Sequence, residues 1–207
     1  MGWTYSAVYG DIDRKKECDQ IYAEGYKVLK SAMVGTVYYA AVVKTARFVY
    51  EDENDWRRYH LEPIPEADRV TFGTVVLTDI TTDKRGVKWF GYKDMDETMG
   101  PGYYDCPAGI LDLLTPTKHR AANVWRDLCR NRRNAKNARN NFLRKIKTLE
   151  PGSRLQFVCP CKMTNGIEAG DLITLTVRTW NAGKVFHDGM YIWPVNYIPE
   201  TAEIIAA

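Results

Sequence analysis

The chain has 207 residues, of which 45% are hydrophobic and 12% aromatic, and its net charge is +3. This composition is sufficient for a packed core and excludes a globally disordered protein, and no apolar run approaches the roughly 20 residues of a membrane-spanning helix. The five cysteines are odd in number and scattered, which argues against a disulfide framework and predicts reduced thiols in a cytoplasm.

The first segments predict a mixture of strand and helix. Aromatic residues alternate with smaller or polar ones over Trp3–Tyr9, which is typical of a strand. Asp11 or Asp13 is expected to cap a short helix that runs to about Ala23, because an aspartate accepts hydrogen bonds from the free N–H groups of a first turn. Residues 26–43 fit either a strand, from their β-branched and aromatic content, or a buried helix, from their alanines.

A β-hairpin is predicted in the middle of the chain. Residues 51–68 are charged and contain two prolines, so we expect a long surface loop there. The strand-forming runs 70–80 and 87–92 follow, separated by a turn-type sequence. Residues 100–102, Gly-Pro-Gly, then break regular structure before a short apolar segment at 110–114.

One long helix is the most clearly defined element. Thr115 or Thr117 is placed to cap it, Pro116 suits its first turn, and Pro151 with Gly152 ends it. At about 1.5 Å per residue, such a helix extends roughly 45 Å. Apolar residues recur at helical spacing and are expected to face the core, namely Val124, Leu128, Ala135, Ala138, Phe142, Ile146 and Leu149.

Strand-like runs return after the helix, at 154–158, 172–180 and, with interruptions, 185–198. The aromatic residues of this part either fill its core or form a stacking platform for bases, and they are Trp180, Phe186, Tyr191, Trp193 and Tyr197. The predicted fold class is therefore α+β. We expect one compact unit with a mixed or antiparallel sheet in 1–115, a basic amphipathic helix in 116–150 and a small antiparallel β region in 151–207.

The near-neutral net charge conceals a strong segregation. Residues 118–147 contain eleven Lys and Arg against one acid, Asp127, whereas the rest of the chain holds 18 basic and 25 acidic residues. Like charges at helical spacing repel one another, so some polyanion or acidic surface is expected to relieve this arrangement. The predicted partner is nucleic acid or a nucleoprotein complex. The predicted contacts are Arg126, Arg130, Arg132, Arg133, Lys136, Arg139, Arg144 and Lys147. In the alternative interpretation the helix is structural and its cations pair with the chain's own acids.

The segment Gly91–Pro101, Gly-Tyr-Lys-Asp-Met-Asp-Glu-Thr-Met-Gly-Pro, is the least generic stretch of the sequence. Its carboxylates Asp94, Asp96 and Glu97 follow a predicted strand and are candidate ligands for a divalent cation, with Asp105 as a fourth. Such a site supports hydrolase or nuclease chemistry. In a structural interpretation, the same residues cap and shape a tight loop. No other cofactor is expected.

No catalytic residue is predicted. The three histidines are dispersed along the sequence, and no phosphate-binding glycine loop is present. Cys159 and Cys161 flank one proline, a spacing shorter than zinc sites use, so buried or edge-strand thiols are the expected role.

The motifs at Gly91–Pro101 and Tyr103–Pro107, Tyr-Tyr-Asp-Cys-Pro, occur together with a Met-Gly-Trp opening and the charged segment Asp13–Asp19. In these features the chain resembles an uncharacterised family found on bacteriophages, plasmids and other mobile elements. The resemblance covers mainly the first 115 residues. It implies an accessory protein in the cytoplasm of a bacterial host cell, of a kind that modulates host defence, replication or transfer, and it supplies no site residues.

Three functions are therefore expected in order. The first is a non-enzymatic, mobile-element protein that binds nucleic acid or a nucleoprotein complex through its basic helix. The second is a divalent-metal-dependent hydrolase that uses the carboxylates of the Gly91–Pro101 segment. The third is a protein-interaction module in which the basic helix is structural.

Overall fold

The computed structural model describes residues 2–22, 24–51, 58–163, 166–181 and 183–205. Helices and antiparallel sheets are mixed, and sheet predominates, which confirms the predicted α+β fold class. The chain divides into two compact units, Met1–Arg133 and Asn134–Ala207. This boundary lies inside the long helix, whereas the sequence placed region boundaries at the two helix ends.

A five-stranded antiparallel sheet forms the centre of the first unit, in the order β1-β7-β6-β3-β2, and β4 and β5 form a separate two-stranded sheet. The elements in chain order are β1 (Thr4–Val8), α1 (Arg14–Asp19), β2 (Tyr26–Val34), β3 (Val37–Lys44), β4 (Ala46–Tyr50), β5 (Tyr59–Pro63), β6 (Thr71–Thr82), β7 (Lys88–Asp96), α2 (Ala108–Leu111) and α3 (Arg120–Thr148), which continues into the second unit. Short 3-10 turns lie at Glu66–Asp68 and Glu97–Met99.

The central strand β3 is covered on both faces, since all of residues 38–42 are buried. Tyr39 packs in a cluster with α2 and α3 on one side of the sheet, and Tyr38 packs with Cys18 of α1 on the other. A strand buried on both faces appears in the sequence as a continuous apolar run, which is why 26–43 was ambiguous between strand and helix. The structure resolves this segment into β2 and β3, joined at Gly35 with φ of 62°.

The predicted hairpin is formed by β6 and β7, and the predicted opening strand by β1. Asp13 caps α1 as expected, because its carboxylate accepts from the backbone N–H groups of Lys15 and Lys16. The prediction of a surface loop over 51–68 is wrong for β5, an exposed strand whose partner is β4. Residues 52–57 of that segment lie outside the described residues.

The second unit contains a five-stranded antiparallel sheet in the order β11-β10-β9-β8-β12. Its strands are β8 (Arg154–Val158), β9 (Leu172–Trp180), β10 (Gly183–His187), β11 (Ile192–Trp193) and β12 (Glu203–Ile205). Phe142 and Ile146 of α3 pack in its core with Leu155 and Leu175. The predicted aromatic set divides: Phe186 and Trp193 are buried, whereas Trp180, Tyr191 and Tyr197 are exposed.

Helix α3 buries a different face from the predicted one within the first unit. Val124 and Leu128 are 50% and 40% exposed, and the buried positions are Ala122, Trp125, Arg126 and Cys129. The prediction followed the aliphatic residues, whereas the buried face uses a tryptophan, a cysteine and an arginine. In the second unit Phe142 and Ile146 are buried as predicted. No helix in the described part of the chain is both long and apolar enough to cross a membrane.

Candidate nucleic-acid interface

Arg126 is buried in the first unit and forms an ion pair with Glu97; the two residues are 5% and 2% exposed. The Arg126 Nε donates to Glu97 Oε2 at 2.7 Å, and Nη2 donates to Oε1 at 2.5 Å. The remaining Nη1 donates to the carbonyl of Thr115 at 2.8 Å. Such a two-point geometry is the strongest form of arginine–carboxylate contact. Arg126 therefore does not belong to the exposed basic face, which corrects the sequence prediction.

The same ion pair removes Glu97 from the predicted metal site. A Cβ added at Gly73 would lie 3.3 Å from Glu97 Oε2 and 2.9 Å from Trp125, so Glu97 lies on the α3 side of the sheet. Phe72, the neighbour of Gly73 on β6, points to the opposite side and lines a cavity with Asp94 and Asp96. The sheet thus separates the third predicted ligand from the first two. No group of three His, Cys, Asp or Glu that could hold a metal occurs among the described residues.

The segment around Gly91–Pro101 attaches the sheet to the helix. Asp96 Oδ1 accepts from the backbone N–H of Thr98 at 2.7 Å and caps the 3-10 turn that carries Glu97. The indole N–H of Trp125 donates to the carbonyl of Tyr103 at 2.9 Å. The motif residues that suggested a metal site therefore include several with structural roles. Asp105, the fourth predicted ligand, pairs with Arg132.

The other predicted contacts of the first unit are partly neutralised. Arg130 Nη1 lies 3.2 Å from Asp127 Oδ1, one turn earlier on the helix, and Arg132 Nε lies 2.9 Å from Asp105 Oδ1. Arg133 is half-buried, and its Nη1 has no hydrogen-bond partner among the described residues. An arginine held by a nearby carboxylate must give up that contact before it binds a phosphate. Arg130 and Arg132 are therefore weaker candidate phosphate ligands than their sequence suggests, and Arg133 is limited by its partial burial.

The predicted contacts of the second unit differ in their surroundings. Lys136, Arg144 and Lys147 are exposed, as is Lys145, and none of them forms an ion pair with a described residue. Positions 136, 140, 144 and 147 lie on one helix face, opposite the buried Phe142 and Ile146. We call Lys136, Arg144 and Lys147 the free cation stripe; Lys145 projects from a different face of the helix. Asn140 is exposed between them.

Arg139 is the exception in this part of the helix. Its guanidinium donates to the carbonyls of Ile198 at 2.6 Å and Val195 at 2.9 Å, and lies 5.6 Å above the ring of Phe142. Val195 begins the 3-10 turn Val195–Tyr197, and Ile198 directly follows it. Arg139 therefore holds this turn against the helix, and its predicted role as a phosphate contact is replaced by a structural contact.

The net charge follows the same division. The first unit holds 20 Lys and Arg and 20 Asp and Glu, whereas the second holds nine and six. The whole net charge of +3 therefore resides in the second unit. Its basic surface extends from helix to sheet, since Lys184 Nζ donates to the backbone carbonyl of Lys147 at 3.2 Å.

Exposed aromatic side chains accompany this charge in the second unit. Tyr191 and Tyr197 line a groove of about 440 Å³ together with Lys162, and the two tyrosines are 46% and 61% exposed. Exposed rings beside cations are the usual elements of single-strand binding, where bases stack on aromatic side chains. The aromatic residues of the C-terminal part suggested such a platform, but the sequence did not show which rings are exposed.

Four of the five cysteines are buried, and Cys161 is exposed. All five are free, and Cys18, Cys106, Cys129 and Cys159 are buried. Burial raises the pKa of Cys18 to about 12 and that of Cys129 to about 11, so both remain protonated thiols. Cys159 Sγ donates to the carbonyl of Cys161 at 3.0 Å; Cys159 is buried as predicted, whereas Cys161 is exposed.

One hydrophobic feature of the first unit could not be predicted from the sequence. Val124 and Leu128, expected in the core, instead line a cavity of about 400 Å³ with Pro101 and Tyr104. The rotation of the buried helix face exposes both side chains, so this surface follows from the position of Trp125 and not from the apolar pattern.

No family model, curated protein or solved structure matches this chain. The resemblance to a mobile-element family thus stays a prediction from sequence motifs.

Proposed function

We propose that this chain is a non-enzymatic accessory protein of a mobile genetic element that binds nucleic acid, free or within a nucleoprotein complex, through the free cation stripe. The observation that carries the proposal is the exposure of Lys136, Arg144 and Lys147 on one helix face without any acidic partner among the described residues. The mobile-element part rests on the motifs at Gly91–Pro101 and Tyr103–Pro107.

Charge repulsion supports a polyanionic partner. Arg144 and Lys147 are three residues apart on the helix, a spacing at which like charges destabilise it. Phosphates would relieve this repulsion, and each phosphate neutralised by Lys or Arg releases condensed counterions, which favours binding. The exposed tyrosines and Asn140 add stacking and hydrogen-bonding groups within the same unit.

The two alternatives receive unequal support. A metal-dependent hydrolase requires several oxygen ligands around one ion, and Glu97 lies across the sheet from Asp94 and Asp96. A structural helix is supported in part, since Arg126 and Arg139 are occupied by contacts within the protein. These two contacts leave the free cation stripe available.

The test is fluorescence anisotropy of labelled single- and double-stranded DNA and RNA, titrated with the protein between about 50 and about 200 mM salt. The binding variant is Arg144→Glu/Lys147→Glu. The matched control is Arg154→Glu/Arg178→Glu, which reverses two exposed arginines of the β8–β9 strands in the same unit and changes the net charge equally. We expect the binding variant to lose at least about tenfold in affinity and the salt slope to fall by about 0.9 per lost phosphate contact.

Two results would contradict the proposal. Absence of binding at the lowest salt concentration would exclude direct contact with nucleic acid. An equal loss in the two variants would show that overall charge, and not the helix surface, determines the affinity.

A further inference from the structure

A second site candidate lies in the first unit, on the side of the central sheet that faces away from α3. It is a cavity of about 540 Å³ with Tyr22, Tyr26, Phe48 and Phe72 among its walls and Asp94 and Asp96 at its β7 side. Glu24 also contributes to the lining. The proposed nucleic-acid contacts do not use any of these residues.

The aromatic rings are arranged as walls and not as a parallel stack. The ring of Tyr26 is 6.1 Å from that of Phe72 at an interplanar angle of 85°, and the ring of Tyr22 is 6.5 Å from Phe72 at 77°. Tyr22 and Tyr26 meet at 72°, and Phe48 extends the row at 6.4 Å from Tyr26. All four side chains are half-buried, so each still presents surface to the cavity. Nearly perpendicular rings around one space present several π-surfaces to a single guest.

The carboxylates of the cavity have hydrogen bonds, and Asp94 and Asp96 have no cationic partner in the part of the chain that the structure describes. Asp94 Oδ2 is 3.4 Å from the Tyr22 hydroxyl, Asp96 accepts from Thr98, and Glu24 accepts from Tyr59 at 2.7 Å. No Lys or Arg is among the described residues that line the cavity, and none of the ion pairs between described residues involves Asp94 or Asp96. The Tyr22 hydroxyl also shares a 2.7 Å hydrogen bond with Thr74, which fixes the ring beside Asp94.

This combination selects one chemical class of ligand. The negative faces of aromatic rings attract cations that carry little hydration, above all alkylammonium and guanidinium groups, and nearby carboxylates add direct charge attraction. A hydrated divalent metal is disfavoured, because it requires a shell of oxygen ligands and most of these walls are carbon. An anion would be repelled by three acids. Neutral apolar ligands would leave the carboxylates without a counter-charge.

We propose that this cavity binds an organic cation, an alkylammonium or guanidinium group, with its charge next to Asp94 and Asp96 and its carbon atoms against Tyr26, Phe48 and Phe72. The group comes either from a free small molecule such as a polyamine or from a lysine or arginine side chain of a partner protein. Its chemistry is the same in both cases, and the site is independent of the free cation stripe.

The first test compares two ligands of the same shape that differ in charge. Choline and its neutral isostere 3,3-dimethylbutanol are titrated by NMR into the full-length protein at low salt. We expect saturable choline binding with shifts at Tyr22, Tyr26 and Phe48, and at least about tenfold weaker binding of the isostere. Equal binding of the two ligands, or no saturation by choline up to about 10 mM, would overturn the proposal.

Two pairs of variants locate the binding. Tyr26→Leu removes a π-surface while keeping an apolar wall, and Tyr9→Leu, at a tyrosine 83% exposed and outside the cavity, is its control.

Asp94→Asn removes one charge, and Asp79→Asn on β6 is its control. Each cavity variant is expected to weaken choline binding at least about fivefold with each control unchanged. Tyr26→Phe restores the ring and should restore binding, which separates loss of the site from loss of folding. Equal effects in a variant and its control would contradict the assignment.

The source of the cation is distinguished by a second titration with spermidine and with a short peptide that contains one trimethyllysine. A peptide affinity at least about tenfold above that of spermidine assigns the site to a partner side chain. Spermidine affinity equal to or above that of the peptide assigns it to a free amine. Failure of both ligands would overturn the proposal without affecting the nucleic-acid experiment, because the residues involved belong to different units.

Discussion

The two halves of helix α3 carry the same number of cations but differ in how those cations are used. Each half, 120–133 and 134–148, contains five Lys and Arg. In the first half, Arg126 is buried and pairs with Glu97, and Arg130 and Arg132 also contact carboxylates. In the second half, the free cation stripe has no acidic partner among the described residues. The charge pattern of a helix therefore does not by itself identify a binding surface; the acids within reach of each side chain decide it.

The largest expected effect is on stability and comes from Arg126, the buried arginine in the first half of the helix. Arg126→Met should destabilise the first unit by about 3–5 kcal/mol, because it leaves Glu97 in the core without a counter-charge. The measurement is urea unfolding followed by circular dichroism and tryptophan fluorescence. Arg144→Met in the free stripe is the matched control and should change stability by less than about 0.5 kcal/mol.

The double variant Arg126→Met/Glu97→Leu sharpens the interpretation. Replacing both charges with apolar groups removes the stranded carboxylate, so the double variant should be more stable than Arg126→Met alone. Similar stabilities of Arg126→Met and Arg144→Met would contradict the difference between the two helix halves.

Arg139 tests whether position in the second half is enough to make a cation a phosphate ligand. Arg139→Met keeps the apolar stem over Phe142 but leaves the carbonyls of Val195 and Ile198 without their donor. We expect a stability loss of about 1–3 kcal/mol and little change in nucleic-acid affinity. Lys136→Met is the control, with the opposite pattern: unchanged unfolding and weaker binding. A loss of binding with unchanged stability for Arg139→Met would restore Arg139 to the interface.

A smaller effect is expected for the surface pair Arg132–Asp105. Exposed ion pairs contribute about 0.2–1 kcal/mol, so a double-mutant cycle of Arg132→Ala and Asp105→Ala should give a coupling energy in that range. Asp105→Ala should also free Arg132 and slightly increase nucleic-acid affinity. A decrease would indicate that Asp105 positions Arg132 for binding.

The strands that could be predicted are those whose pattern is local. β1, the β6–β7 hairpin, β8 and β9 each show alternating or β-branched residues flanked by turn residues. β5 could not be predicted, because Tyr59–Pro63 is exposed and polar and its order depends on pairing with β4. β3 was ambiguous, since its two buried faces remove the period of two.

The candidate site was predictable in composition but not in geometry. The excess of cations on α3 is a property of the sequence, whereas the Arg126–Glu97 contact joins residues 29 positions apart and leaves no local signal. Phe72 and Gly73 are neighbours on β6 and face opposite sides of the sheet. Gly73 faces Glu97, whereas Phe72 lines the same cavity as Asp94, so the two acids lie on opposite sides. Such side assignments require the strand register, which the spacing of three carboxylates does not contain.

The smallest expected effect tests whether the free cation stripe lowers the stability of helix α3 when no ligand is bound. Asn140 lies four residues after Lys136 and four before Arg144, and all three are exposed. Asn140→Glu would place a carboxylate between two cations and should stabilise the helix by about 0.2–0.5 kcal/mol per pair, as measured by urea unfolding. The same change should weaken nucleic-acid binding several-fold, because it supplies in the protein the negative charge that a phosphate would otherwise provide. Asn140→Gln is the neutral control. If Asn140→Glu gains stability and keeps full affinity, the stripe is a solvated face and not an interface; if it gains stability and loses affinity, the unpaired cations are a cost in stability that binding offsets.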